Sequence, residues 1–301
     1  AMLEHPVRWF LRKRLQLSFF DEHEELDDRL PLELTGLDSW QVGDRLLAAC
    51  LAGADRGAAV AAEWRRGEVP PRELGRRVLD DVADKVQPLA AAALALTRGE
   101  PARVVDVQAY LPAGGVVTGS VRGVHGDVVV RTVYSRLAPK HRLRAWAQLL
   151  ALVASEPDTP WRAVTIGRPP GKRASAMVAQ LSTPDAAMAA QWLEQLVRLR
   201  EKASREPLPM PIGAACSYAT SRFGGDVEVQ SLQNARQEWN SGFERTDEAH
   251  LTAWGAADLD DILGTPPSDE QSWFPNDTSR FGVLARRVWH VLLRHESVTA
   301  A

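Results

Sequence analysis

Cysteine is scarce: Cys50 and Cys216 are the only two in 301 residues, with no CxxC pair and no nearby histidine pair. A disulfide framework and a thiolate zinc site are thereby excluded, and two buried free thiols are expected. Long apolar runs are also missing. No stretch approaches the roughly 18 uninterrupted apolar residues of a membrane span, and the opening AMLEHPVRWFLRKRL carries charges where a signal peptide needs an apolar core. The expectation is an intracellular, cytoplasmic protein. No GxxxxGK(S/T) occurs, so the segment supplies no ATP-binding phosphate loop, and no cofactor is expected. Net charge is small as well, at -3, which by itself argues against a nucleic-acid partner. What is present is 45% apolar and 25% charged residues, the composition of a chain that builds a real core.

The near-neutral total hides a partition along the chain. From Asp21 to Asp44 nine carboxylates face one arginine, for -8. From Arg122 to Arg173 ten Lys and Arg face three carboxylates, for +7, and from Glu244 to Glu270 the balance returns to -7. Such asymmetry speaks of partners, not of fold.

Periodicity divides the chain into three parts. Val7, Phe10, Leu11, Arg14 and Leu15 mark an amphipathic helix over 5–17, Asp38 caps a second helix running to Leu51, and Leu74 to about Leu96 carries a third stripe. Beyond Pro101 the period falls to two. RVVDVQAYL (103–111), GVVTGSVRGV (115–124) and DVVVRTVY (127–134) read as an antiparallel meander. A helix over 139–154 follows, then strands at 161–167 and 174–181, then a helix opened by Ser182 or Thr183. The segment 208–224 is ambiguous, 226–240 is helical, 264–278 is a loop, and a helix over 281–293 closes the pattern. The fold class is α/β: one domain over 1–301, with a helical part (1–100), a mixed-sheet core (101–205) and a helical C-terminal part (206–301) that packs back on it.

Three segments carry a resemblance: HPVRWFLRKRL (5–15), LELTGLDSWQVGDRLL (32–47) and VYSRLAPKHRLRAWAQLLAL (133–152), with FGVLARRVW (281–289) in support. Together they resemble the C-terminal domain of the RecC subunit (gamma chain) of exodeoxyribonuclease V, across essentially the whole chain. The resemblance implies a separately produced fragment of a longer protein, with a fold related to the PD-(D/E)XK nuclease domain of the RecB subunit but without catalysis. It also implies a scaffold in a complex that unwinds and degrades DNA from double-strand ends, with RecB, RecD and DNA as partners.

The residues agree with a loss of catalysis. A nuclease of this kind holds Mg²⁺ through carboxylates on neighbouring strands and uses a lysine beside the second. Aligned with that pattern, Arg122 stands at the first carboxylate, Val133 at the second and Ser135 at the lysine, while Gln148 keeps the helical glutamine. No metal ligand set is expected, and Asp106 and Asp127 are poor substitutes, Asp127 being a turn residue. Two rivals stay open: an active metal-dependent nuclease, and an adaptor that touches only protein. Candidate DNA contacts are Arg136, Lys140, Arg142, Arg144, Lys172 and Arg173, because phosphates are met by Lys and Arg; the rival reading is a solvated helix start. His125 and His141 read equally well as plain surface residues or as DNA contacts. Trp9, Trp40, Trp146, Trp192 and Trp289 lie on apolar stripes and are expected to be buried, whereas Trp239, Trp254 and Trp273 sit in polar surroundings as candidate partner anchors.

Overall fold

A computed structural model describes residues 2–17, 19, 36–171, 173 and 175–301. Most of the first acidic stretch, and Lys172 among the candidate DNA contacts, lie outside the described residues. A 3-10 turn, Met2–Glu4, leads into α1 (Pro6–Arg14), with α2 (Gly36–Leu51), α3 (Arg56–Arg66) and α4 (Arg72–Thr97) after it. The strands β1 (Arg103–Tyr110), β2 (Val116–His125) and β3 (Val128–Arg136) are followed by α5 (Pro139–Ser155), β4 (Arg162–Arg168), β5 (Met177–Leu181) and α6 (Ala186–Ala203). The remainder is α7 (Ile212–Phe223), α8 (Glu228–Ser241), the short α9 (Glu248–Trp254), α10 (Leu259–Ile262) and α11 (Ser268–Gln271), then α12 (Arg280–His295) and β6 (Glu296–Ala300).

The six strands form one sheet in chain order, antiparallel except for the parallel pair β3–β4. Alternation sends the two faces into different cores. On β4, Ala163 enters a core built with α5, α6, α7 and α12, while Val164 and Ile166 enter one built with α2, α3 and α4. The strands are accordingly sandwiched between two helical layers. The outer face of the β1–β2 ribbon is open: Asp106, Ser120 and Arg122 are exposed there, and Ser120 Oγ donates to Asp106 Oδ1 at 2.7 Å.

Close packing fixes α2 on β3. A Cβ on Gly43 would stand 2.1 Å from the Tyr134 ring, so the helix seats there only because that position is glycine. A second glycine, Gly123, has φ +76° and makes a bulge where Arg103 pairs with Val124 but Val104 with Arg122. The bulge reverses the alternation, so Val121 and Val124 both face the α5 side.

Several expectations need correcting. The α2 helix starts at Gly36, leaving Asp38 inside its first turn. The cap of α6 is Asp185, which accepts from Met188 N at 3.1 Å, because Ser182 and Thr183 are engaged elsewhere, with the carbonyls of His295 and Trp161. The C-terminal part is not wholly helical: β6 pairs antiparallel with β5 from Leu181–Glu296 to Met177–Ala300 and extends the sheet past 181. Trp40 is 42% exposed rather than buried, Trp9 and Trp192 are half-buried, and Trp146 and Trp289 are buried as expected. Both thiols are free and buried. Among the described residues, no helix is long and apolar enough to cross a membrane.

Candidate functional site

The sheet has two distinctive places. The first is a fork. β2 pairs with β3 only at Val124–Val129 and His125–Val128, after which the two strands part over α5. Beside β2, a cleft of about 460 Å³ is lined by Val121 and Gly119 of β2, Gln148 and Arg144 of α5, Arg200 of α6 and Glu4 of the first turn. Met2 is buried in the adjacent core, and Trp9 walls the cleft with Arg200 at 5.2 Å and Lys13 at 5.1 Å over its ring. Glu4 is the one carboxylate in that lining, and it is ion-paired with Arg144.

The aligned catalytic positions do not converge there as expected. Ser135 faces α5 and its Oγ lies 3.0 Å from His141 Nε2; Val133 shares that face by alternation with Tyr134, whose ring enters the opposite core. Arg122, however, is on the outer face of the ribbon, because the bulge at Gly123 puts Val121 inward instead. On the α5 side the two strands therefore present Val121, Val133 and Ser135, of which Val121 lines the cleft with Gln148, and none can ligate a hard divalent cation as an anion. Asp106 is bonded to Ser120 on the far side, and Asp127 lies 3.4 Å from Arg162.

The second place is the C-terminal end of the parallel pair. Leu137 N donates to Arg168 O at 3.0 Å, tying the β3–α5 turn to the loop after β4. This contact brings Arg136 and Lys140 to the same end of the sheet as Arg173, all three exposed and without an acidic partner among the described residues. Arg168 stands behind them, its Nε donating to Tyr134 O at 2.6 Å and its guanidinium 4.4 Å from the Tyr134 ring centre. It belongs to the same cationic end, although the sequence pattern did not single it out.

Two of the nominated cations are elsewhere. Arg142 points inward from α5, where it donates to both carboxylate oxygens of Glu296 and, at 3.2 Å, to Cys216 Sγ, with its guanidinium 5.1 Å from the Trp289 ring. Burial opposes its charge, but the bonds to Glu296 and Cys216 outweigh that and raise its pKa. It cannot meet phosphate. Arg144 is engaged with Glu4 at the cleft. His141 is likewise not a plain surface residue: burial, then Lys140, Arg131 and Arg144, lower its pKa to about 4.

Of the candidate anchors, Trp239 is withdrawn. It is 2% exposed and packs against His250 and Trp254. Trp254 and Trp273 are half-buried, the latter beneath Arg287 at 4.5 Å. Polar neighbours in sequence misled here because α8 turns its one apolar face, bearing Ala235 and Trp239, into the core.

The construction is that of an α/β domain, a mixed sheet between helical layers with a carboxylate-poor cleft and a cationic strand end. The family model for the RecC C-terminal domain matches residues 1–223. The chain is 38% identical over 292 residues to the RecBCD enzyme subunit RecC of Mycolicibacterium smegmatis, and 35% identical over 296 residues to that of Mycobacterium tuberculosis, covering 97% of this chain in each case. Similarity to the RecC subunit of Escherichia coli, 28% over 152 residues, covers 50% of the chain. The chain belongs to the RecC C-terminal domain family. It spans 26% of the length of the two mycobacterial relatives.

Proposed function

We propose that the chain acts as a non-catalytic domain of a RecBCD-type helicase–nuclease, in the cytoplasm, in double-strand-break repair and recombination. On this reading its core derives from a PD-(D/E)XK nuclease whose metal site has been lost, and the domain serves as scaffold and DNA path. It contacts the RecB and RecD subunits and offers unwound strands or a duplex end the cationic rim of Arg136, Lys140 and Arg173. The single domain comprises the helical part, the sheet core and the C-terminal part described above. Half-buried Trp254 and Trp273 are the partner anchors.

The observation that carries this reading is the separation of charge by position: three exposed cations at one strand end without acidic partners among the described residues, and a cleft whose described lining holds one carboxylate already neutralised by Arg144. Phosphate binding by such a rim is salt-dependent, because each neutralised phosphate releases counterions. Binding of forked DNA is therefore expected to weaken with salt, and Arg136→Glu with Lys140→Glu is expected to reduce both affinity and the salt slope. Unchanged binding in the double variant would favour protein-only contacts. Metal-dependent cleavage of single-stranded DNA by the purified chain, abolished by a carboxylate substitution, would overturn the non-catalytic reading. Co-expression with RecB and RecD identifies which subunit retains it.

A further inference from the structure

We propose that His5, Asp247 and His250 form a binding site for one borderline divalent transition-metal ion of the Zn²⁺ class, which clips the start of α1 to the start of α9. The two histidines and the aspartate come from opposite ends of the sequence, yet one ligand atom from each lies within 4.8 Å of the others. His5 Nε2 is 2.9 Å from Asp247 Oδ1.

His250 is the strongest element of the site. It is 3% exposed, and its Nδ1 lies 2.7 Å from the Glu244 carbonyl oxygen. A carbonyl only accepts, so Nδ1 carries the proton and Nε2 presents a bare lone pair. That Nε2 is buried and has no hydrogen-bond partner. A metal ligand with its other nitrogen tied to a backbone carbonyl is the arrangement that orients imidazole toward an ion. Trp254, stacked at 5.1 Å and 21°, and Trp239 at 5.5 Å hold the ring in place.

Access and charge permit the ion. A cavity of about 250 Å³ opens on all three residues, with Lys140, Glu244 and the 92%-exposed Phe243 also on its wall. Arg8 Nη2 is 3.0 Å from Asp247 Oδ2, and half-buried Glu244 accepts from Gly213 N and Ala214 N, so the Asp247 carboxylate offsets Arg8 beside the position. Two imidazole nitrogens and one carboxylate oxygen suit Zn²⁺, with water from the cavity as fourth ligand. Ligand atoms around four-coordinate Zn²⁺ stand roughly 3.3 Å apart, so the group contracts by about 1.5 Å at most.

Binding rearranges one proton. His5 Nε2 now donates to Asp247 while Nδ1 accepts from Arg8 N at 3.2 Å. On ligation the Nε2 proton moves to Nδ1, the Nε2 lone pair goes to the metal, and the cap bond to Arg8 N is given up. The imidazole stays neutral and no net proton is released at His5.

The test uses the full chain, stripped with chelator and titrated with Co²⁺ by visible ligand-field absorption and with Zn²⁺ by calorimetry and thermal unfolding. One equivalent is expected to bind and to raise the melting temperature, since a ligand specific to the folded state stabilises it. Asp247→Asn and His5→Asn keep side-chain acceptors at their N-cap positions and so preserve the helix starts; each is expected to weaken binding at least ~10-fold, and His250→Gln at least ~100-fold. If His250→Gln does not fold, the two asparagine variants decide. Absence of saturable one-equivalent binding to the folded wild type, or wild-type affinity in both asparagine variants, overturns the site.

Discussion

Arg142 and Arg136 are six positions apart in one basic run and have opposite fates. Arg136 ends β3 in solvent, with Lys140 beside it, whereas Arg142 lies under α5, gripping Glu296 and Cys216 against Trp289. One group of cations is available to a partner. The other is internal architecture: Arg142 fastens β6 to α5, and Arg144 fastens the N-terminal turn at the cleft. Position in the fold, not charge density along the chain, separates exposed cations from internal ones.

The largest expected effect tests the inner group. Arg142→Ala leaves the buried Glu296 carboxylate unpaired, and removing one partner of a buried pair costs about 3–5 kcal/mol; denaturant unfolding measures this, and a loss below about 1 kcal/mol would erase the distinction. Arg142→Lys is expected to recover only part, since it lacks the planar fork that meets both Glu296 oxygens.

A smaller effect lies between the groups, at His141. Its folded pKa, about 4, lies below the unfolded value near 6.5, so the unfolded chain binds the extra proton in that window. Stability is therefore full above about pH 6.5 and falls as pH drops toward 4, by on the order of 2 kcal/mol after allowance for partial solvent screening. Melting at pH 7 and pH 5 should show the loss, and His141→Gln should remove this contribution. Lys140→Glu should move the window upward, since Lys140 is one of the cations that depress His141.

The smallest effect on stability is expected at the rim. Arg136→Glu, Lys140→Glu and Arg173→Glu each change stability by no more than about 0.5 kcal/mol, as exposed substitutions do. Together they should lower the log–log salt slope of DNA binding by about 2 to 3, at 0.7 to 0.9 per lost phosphate contact. A destabilised triple variant with an unchanged slope would invert the comparison.

Much of the α/β order was legible because it is local. The change from a period near 3.6 to a period of two at Pro101 marks where the helical part gives way to β1, and the Gly126 turn and Pro139 bracket β3. β6 was not legible: ESVTA follows the α12 stripe directly, and it becomes a strand because β5 offers an edge and Arg142 neutralises Glu296. The orientation of Arg122 was hidden for a related reason. A single bulge at Gly123 moves it to the outer face, and no spacing rule shows a bulge whose partner strand is unknown.

The sequence alone determined the helix–strand succession, the free buried thiols, the resemblance to its family, and the want of acidic residues at the aligned catalytic positions of β2 and β3. Those properties follow from residue identity and short-range periodicity. Tertiary structure alone decided which cations remain outside, that Trp239 is core, that Val121 lines a cleft with Gln148, and that His5 meets Asp247 across 242 positions of chain. The reason is physical: a side chain's charge and size are set by its identity, but its partner and its solvent are set by whatever the rest of the chain packs against it.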